Sequence, residues 1–297
     1  MIDYTLLKRH TFGLVAAEHV ESLPQDVAHT TLSTGILQDS ATLMPSLIEL
    51  SQLSEAKSIE LLELMNSQIN DNEVPVVSTL ISTDYDLKRM QSYFAKVQIC
   101  SNVKGERAWL RVHDPRVWAQ LERTLKPATF TKITKPIHTW TMYFGREWVS
   151  QNPKSTSAGH QTFANLQLDD QEWAALERIG IVNRSLQELN ITGHKESLSH
   201  STGLDELTVR AQRTYGLNSV DELVCYVCLG WNSHPMFDTH QIARDAIIKY
   251  QHQLKTGELD VNDSSAVNAF KDLTDSDWAS IRKDLNLETN KTAGSNL

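Results

Sequence analysis

Cysteine is scarce in this chain: of 297 residues only Cys100, Cys225 and Cys228 carry thiols. Three cysteines do not make a disulfide framework, and such sparing use suits a reducing compartment. Long apolar runs are missing as well. The longest uncharged one, Leu223 to Trp231, falls far short of the ~20 residues that a membrane span needs. The opening MIDYTLLKRHTFGLVAAEH breaks its apolar stretches with Lys8, Arg9 and His10, unlike a secretory signal. The expectation is a soluble cytoplasmic protein.

No dense block of Lys or Arg stands out, and the net charge is −9. That balance argues against broad binding to a nucleic-acid backbone or an anionic membrane, and it gives no support to a local basic patch. The short signatures of common chemistry are absent too. There is no G-x-S-x-G, no phosphate-binding Walker loop, no G-x-G-x-x-G and no H-E-x-x-H. The 11 histidines show no tight ligand spacing, and most of them are expected as surface or capping residues. Neither a metal nor a cofactor is expected.

What is present is enough for a substantial core, since 40 % of the residues are apolar. Thr30 to Leu37 leans towards strand. Thr42 to Leu50 is apolar, but Pro45 argues against a central strand at that point. From Ser54, a cap candidate, Leu61 and Leu64 or Ile59, Leu62 and Met65 recur at helical spacing. Val74 to Ser82 is short and β-branched, a buried strand. Thr83 to Val97 reads as a helix capped near Thr83, with Leu87, Met90 and Phe94 on one side. VQICS is a further strand. Then AWLRVH alternates, with Leu110 and Val112 opposite Trp109, Arg111 and His113. At Asp114-Pro115 the rule changes to a helix: Asp is a strong N-cap and Pro fits the first helical position. Val117, Leu121 and Leu125 stack along it, Trp118 flanks them, and Pro127 closes it. IHTWTMYF and REWV form a hairpin around Gly145.

After residue 168 the pattern is helical, with five segments: 169–190, 203–217, one from Asn218-Ser219 in a capping-box arrangement with Glu222, one stopped by Gly257, and one from Thr274. The expected fold is therefore an α/β N-terminal lobe, a mixed sheet with packed helices, followed by an all-α C-terminal lobe. Domain limits follow as 1–150 for the first, 151–168 for a linker or long loop, 169–286 for the helical domain and 287–297 for a disordered tail. LDDQEWAAL and LTDSDWASI resemble each other, which reflects shared helix-start chemistry rather than a repeat.

Two groups invite a chemical reading. Cys225-x-x-Cys228 lies inside an apolar helix pattern, away from the helix start that would activate a thiol. With no second cysteine pair it lacks four zinc ligands, so a core role is expected. Arg111, Asp114 and Arg116 crowd one corner. A catalytic reading makes Asp114 a base, yet an Asp between cations is held ionised and is a poor base. The structural reading, a cap paired with an arginine, is preferred. A small hydrolase-like enzyme using Arg111, Asp114 and Arg116 is the alternative.

The run WLRVHDPRVWAQLERTL, followed by PIHTWTMYFGREWV, resembles the domain-of-unknown-function family of type VI secretion effector adaptors, also called effector chaperones. That family carries an Arg-x-x-Asp-Pro-Arg motif leading into a helix, then Pro-Ile and a Trp. The matching residues here are Arg111, Asp114, Pro115 and Arg116, then Pro136, Ile137 and Trp140. VPVVSTLISTDYDLKRMQSYFAKVQ upstream and TYGLNSVDELVCYVCLGWNSHPMFD downstream are similar to further family segments. The resemblance implies a non-enzymatic cytoplasmic adaptor, with no catalytic residue. It would bind one secreted effector, a toxin, and load it onto the trimeric spike protein of the secretion machine. The motif residues would then be structural and possible interface positions on a scaffold that binds neither nucleic acid nor membrane.

Overall fold

The computed structural model describes residues 2–33, 42–71, 73–153, 166–256 and 266–294. The chain divides into two compact units, Met1–Ile179 with Thr192–Leu198, and Gly180–Ile191 with Ser199–Leu297.

The first unit opens with helix α1 (Tyr4–Lys8), strand β1 (Phe12–Val15) and a 3-10 turn (Ala17–Ser22). Then come β2 (His29–Thr31), β3 (Ser46–Glu49), α2 (Glu55–Asn70), β4 (Val77–Ser82) and α3 (Leu87–Val97). They lead into β5 (Ile99–Ser101), β6 (Arg107–Trp109), α4 (Pro115–Thr124) and α5 (Pro127–Thr134). The hairpin β7 (Thr139–Phe144) and β8 (Glu147–Gln151) and the short β9 (Leu166–Gln167) complete it. Six strands form one antiparallel sheet in the order β2-β3-β1-β4-β7-β8. The mixed sheet is the smaller one, β6-β5-β9, in which β5 runs antiparallel to β6 and parallel to β9.

The pleat of the large sheet assigns its faces, because neighbours along a strand point opposite ways. Phe12, Leu14, Leu47, Ile81, Trp140 and Met142 share one core with Met90 and Phe94 of α3, Val117, Trp118 and Leu121 of α4 and Ile133 of α5. Val15, Ile48, Val77 and Leu80 share another with Leu7 of α1 and Leu61 and Met65 of α2. Helices therefore cover both faces: α3, α4 and α5 on one, α1 and α2 on the other.

Several sequence expectations hold. Ser54 caps α2 by accepting from the Lys57 N–H at 3.3 Å. The turn between β7 and β8 has φ of 60° at Gly145 and 67° at Arg146, the two positive values that a type I′ hairpin requires. A Cβ at Gly145 would collide with the Thr192 carbonyl oxygen.

Others are corrected. Ahead of Thr30, where the sequence pattern is mixed, the chain forms α1 and β1, and β1 lies inside the large sheet. Pro45 does not bar a central strand: β3 starts immediately after it, and the Pro45 carbonyl accepts from the Leu32 N–H at 2.8 Å. The cap of α3 is Asp86, not Thr83; the Asp86 carboxylate accepts from the Arg89 N–H at 2.8 Å. Pro127 does not merely close α4. It occupies the first turn of α5, where its missing N–H costs nothing. The span of 151–168 begins in β8 and ends with β9 and the buried Leu168, while 154–165 lie outside the described residues.

The second unit takes residues 180–188 of α6 (Asp170–Glu188) and most of α7 (His194–Tyr215), with α8 (Val220–Asn232), α9 (Gln241–Thr256) and α10 (Asp275–Gly294). Its core gathers Val182, Leu204, Tyr226, Val227, Phe237 and Ile281. The related helix starts are confirmed as capping boxes. Asp169 accepts from the Glu172 N–H at 2.9 Å while the Glu172 carboxylate accepts from the Asp169 N–H at 3.3 Å. Thr274 and Asp277 repeat the exchange at 3.3 and 2.8 Å. Ser219 precedes α8 but makes no side-chain capping bond, so the box expected with Glu222 does not form. The backbone of α10 continues to Gly294 rather than giving way at residue 287, since extending a helix already nucleated costs little.

Candidate functional site

The corner at Asp114 is built by backbone first. The Leu110 N–H donates to the Gln98 carbonyl at 2.7 Å, prolonging the β5–β6 pairing. The Val112 N–H then donates to Leu110 O at 2.8 Å and the Asp114 N–H to Arg111 O at 3.0 Å, which turns the chain. Leu110 and Val112 are buried and Arg111 is exposed, so the alternation read from AWLRVH survives although regular pairing ends at Trp109.

Asp114 is the N-cap of α4 and Pro115 its first residue. The Asp114 carboxylate accepts from the Arg116 N–H at 2.9 Å, from Arg116 Nε at 3.1 Å and from Arg116 Nη2 at 2.9 Å. Burial pushes this carboxyl up, but the bonds and charge of Arg116, with Arg111 behind, hold it below the usual 3.8. A carboxylate so engaged has little basicity left for proton abstraction. Beside it, the rings of Trp109 and His113 stack at 5.7 Å. Burial pushes the His113 imidazole down to about 4, against an opposing pull from Asp114. Trp109 Nε1 and His113 Nδ1 are buried without a hydrogen-bond partner.

From this corner α4 runs onto the large sheet. Trp118, in its first turn, stacks on Trp140 of β7 with ring centroids 3.6 Å apart. Trp118 Nε1 donates to Gln151 Oε1 at 2.8 Å, and Gln151 is the register partner of Trp140. Pro136 lies at the entry to β7, where its carbonyl accepts from Thr83 Oγ1 at 2.5 Å. Ile137 is fully buried. The structure thus joins the sequence-derived residues into one helix-on-sheet contact. Asp114, Pro115 and Arg116 set the helix start, and Trp140 and Ile137 form the bed. Arg111 is exposed and makes no ion pair among the described residues. Sequence reasoning assigned no role to Thr83 in pinning Pro136, nor to Gln151. Polar residues beside an apolar run carry no signal of so distant a partner.

Elsewhere the chemistry is structural. Cys225 is exposed and only Cys228 packs against the helical core, so the expected core role fails for Cys225, which stands on the solvent edge of the face it shares with Cys228. Burial pushes the Cys228 thiol up to about 11 and raises that of Cys225, which leaves both poor nucleophiles. His10 is not a surface residue. It is 5 % exposed, with Nδ1 donating to the Leu6 carbonyl at 2.7 Å and Nε2 accepting from Thr141 Oγ1 at 2.9 Å. A carbonyl only accepts, which fixes that tautomer. In the second unit, Asp238 is 4 % exposed and accepts from Arg210 Nη2 at 2.8 Å, Tyr215 OH at 2.9 Å and Tyr226 OH at 3.0 Å. Among the described residues no group of three or more His, Cys, Asp or Glu side chains could hold a metal ion. No described helix is long and apolar enough to cross a membrane.

No curated protein and no solved structure matches the chain. Residues 16–132, from just after β1 into α5 and including the whole Asp114 corner, match the family model described as Domain of unknown function (DUF4123).

Proposed function

We propose that this protein is a non-enzymatic cytoplasmic adaptor, a chaperone that binds one type VI secretion effector and loads it onto the trimeric spike protein. The observation that carries the reading is the Asp114 corner. It lies within the matched residues 16–132, and its carboxylate is spent on the α4 N-terminus and on Arg116. The motif residues that resemble the adaptor family therefore do structural work: they fix a helix on a sheet and leave the outer surfaces of the unit to partners. The alternative, a hydrolase-like enzyme at Arg111, Asp114 and Arg116, requires a base, and the depressed Asp114 carboxyl serves badly as one.

The test is affinity purification of the tagged chain from its native bacterium while the secretion machine is made, with mass spectrometry of the co-eluting proteins. One toxin-like protein, with or without a spike subunit, is the expected result. Recovery of neither overturns the reading and returns attention to a substrate screen at the Asp114 corner.

A further inference from the structure

The charge of the first unit is divided along the chain. Residues 87–135 hold 11 Lys and Arg against three acids, whereas residues 1–86 hold 13 acids against three Lys and Arg. The basic stretch builds α3, β5, β6, α4 and α5, the layer over the Trp140 face of the large sheet. The acidic stretch supplies α1, α2 and the strands β1 to β4; of its acids, Glu55, Glu60 and Glu63 lie on α2, while Asp86 caps α3 and Glu18 acts on His113 and Arg116 at the basic layer itself. No block of basic residues is visible in the sequence because the cations are spaced apart; the sequence gives a local basic patch no support but leaves it open, and the elements that carry these cations lie in one layer.

Six of these cations are exposed: Lys88, Arg89, Lys104, Arg107, Arg111 and Lys132. None of the six makes an ion pair among the described residues. The three acids of the stretch make no ion pair with any of the six among the described residues: Asp114 is engaged by Arg116, Glu106 accepts from Asn102 Nδ2 at 2.5 Å, and Glu122 pairs with none of them. Apolar contact area lies among the cations. Val103, in the β5–β6 loop beside Lys104, is 58 % exposed, and the half-buried rings of Trp109 and His113, each two residues along the chain from Arg111, stack on each other. Uncompensated like charges repel one another, and a partner of opposite charge relieves that repulsion.

We infer that the α3–α5 layer is a docking surface for an acidic protein segment, with Lys104, Arg107 and Arg111 at its centre. A protein fits better than a nucleic acid or an anionic membrane. The cations are distributed around apolar and aromatic side chains, as at protein interfaces. The inference goes beyond the adaptor reading and stands on the charge division alone, whatever the partner's identity.

The experiment uses the full chain and three probes: a fluorescein-labelled polyglutamate peptide, a labelled DNA duplex of equal charge, and vesicles of phosphatidylserine with phosphatidylcholine. Binding is followed by anisotropy for the first two and by co-sedimentation for the third. The peptide binds most tightly, and its affinity falls as salt is raised. The triple change Lys104→Glu, Arg107→Glu, Arg111→Glu weakens peptide binding about 10-fold or more. The change Lys249→Glu, Lys255→Glu, Lys283→Glu, equal in net charge but placed in the second unit, leaves it within about 2-fold. If the first variant does not fold by circular dichroism, Lys88→Glu, Arg89→Glu, Lys132→Glu carries the same expectation. Absence of salt-sensitive peptide binding, equal loss in the control variant, or tighter binding of duplex or vesicles overturns the inference. A failed effector pull-down leaves it standing, because the peptide assay requires no effector.

Discussion

The indole rings of Trp118 and Trp140 lie 3.6 Å apart, centroid to centroid, and within 8° of parallel. Both are essentially buried. One belongs to α4 and the other to β7, so this stack is where the helix entered at Asp114-Pro115 meets the sheet. Trp118→Ala and Trp140→Ala are each expected to destabilise the first unit by about 3–5 kcal/mol. The double variant costs less than the sum by about 1 kcal/mol, because the second removal finds the stack already gone. Urea unfolding followed by circular dichroism measures all three.

At Asp114 the account separates a cap from a catalyst. Asp114→Ala removes the acceptor for the Arg116 N–H and is expected to cost about 1–2 kcal/mol. Asp114→Asn keeps an acceptor and loses only the pairing with Arg116, whose side chain is 59 % exposed, so its cost stays below about 1 kcal/mol. Partner binding falls in step with stability in both. A catalytic Asp114 would behave otherwise: the Asn variant would fold normally and lose all turnover.

In the second unit, Asp238→Ala leaves Arg210, the buried Tyr226 hydroxyl and the half-buried Tyr215 hydroxyl without their shared acceptor. The expected cost is about 3 kcal/mol, since stripping one member from a buried charged network is far worse than replacing the network. Asp238→Asn keeps part of the bonding and costs less. Chemical denaturation of both variants, followed at the tyrosine and tryptophan bands, checks the order.

Stability should fall in mild acid. Burial holds the His113 imidazole at about 4 against an ordinary 6.5, and it lowers His10 and His194 as well. The unfolded chain therefore takes up these protons first. The contribution is complete above about pH 6.5 and is lost as pH drops towards 4. For His113, Asp114 and Glu18 pull upward and Arg111 pushes downward, so burial remains the larger influence. His113→Asn is expected to flatten the decline between those limits by on the order of 2 kcal/mol. Thermal melts across the range decide it, and a decline identical in both proteins contradicts the assignment.

Much of this fold was legible where local chemistry decides the outcome. Ser54, Asp114-Pro115, Asp169 with Glu172 and the Gly145 turn announce themselves because their partners lie within a few residues. The failures have a common physical cause. Strand β1 was invisible because Phe12–Val15 is buried on both faces and shows no alternation. Pro127 was read as a stop because the sequence pattern could not tell a helix end from a following helix start. The sequence showed Asp114 and Trp140 as motif members, but their connection runs through Trp118 and a stack formed only in three dimensions. The basic layer escaped notice for the same reason. Its cations are separated along the chain, and only the fold brings the elements that carry them, α3, β5, β6 and α5, over one face of the sheet.

The central claim is that the protein delivers one effector rather than performing a reaction. The most direct measurement is the secreted proteome of the native bacterium with and without this gene. The account predicts that one effector disappears from the medium while the spike and the other effectors are still exported, and that the Asp114→Asn protein restores secretion in proportion to its stability. An unchanged secreted proteome in cells lacking the protein would contradict it.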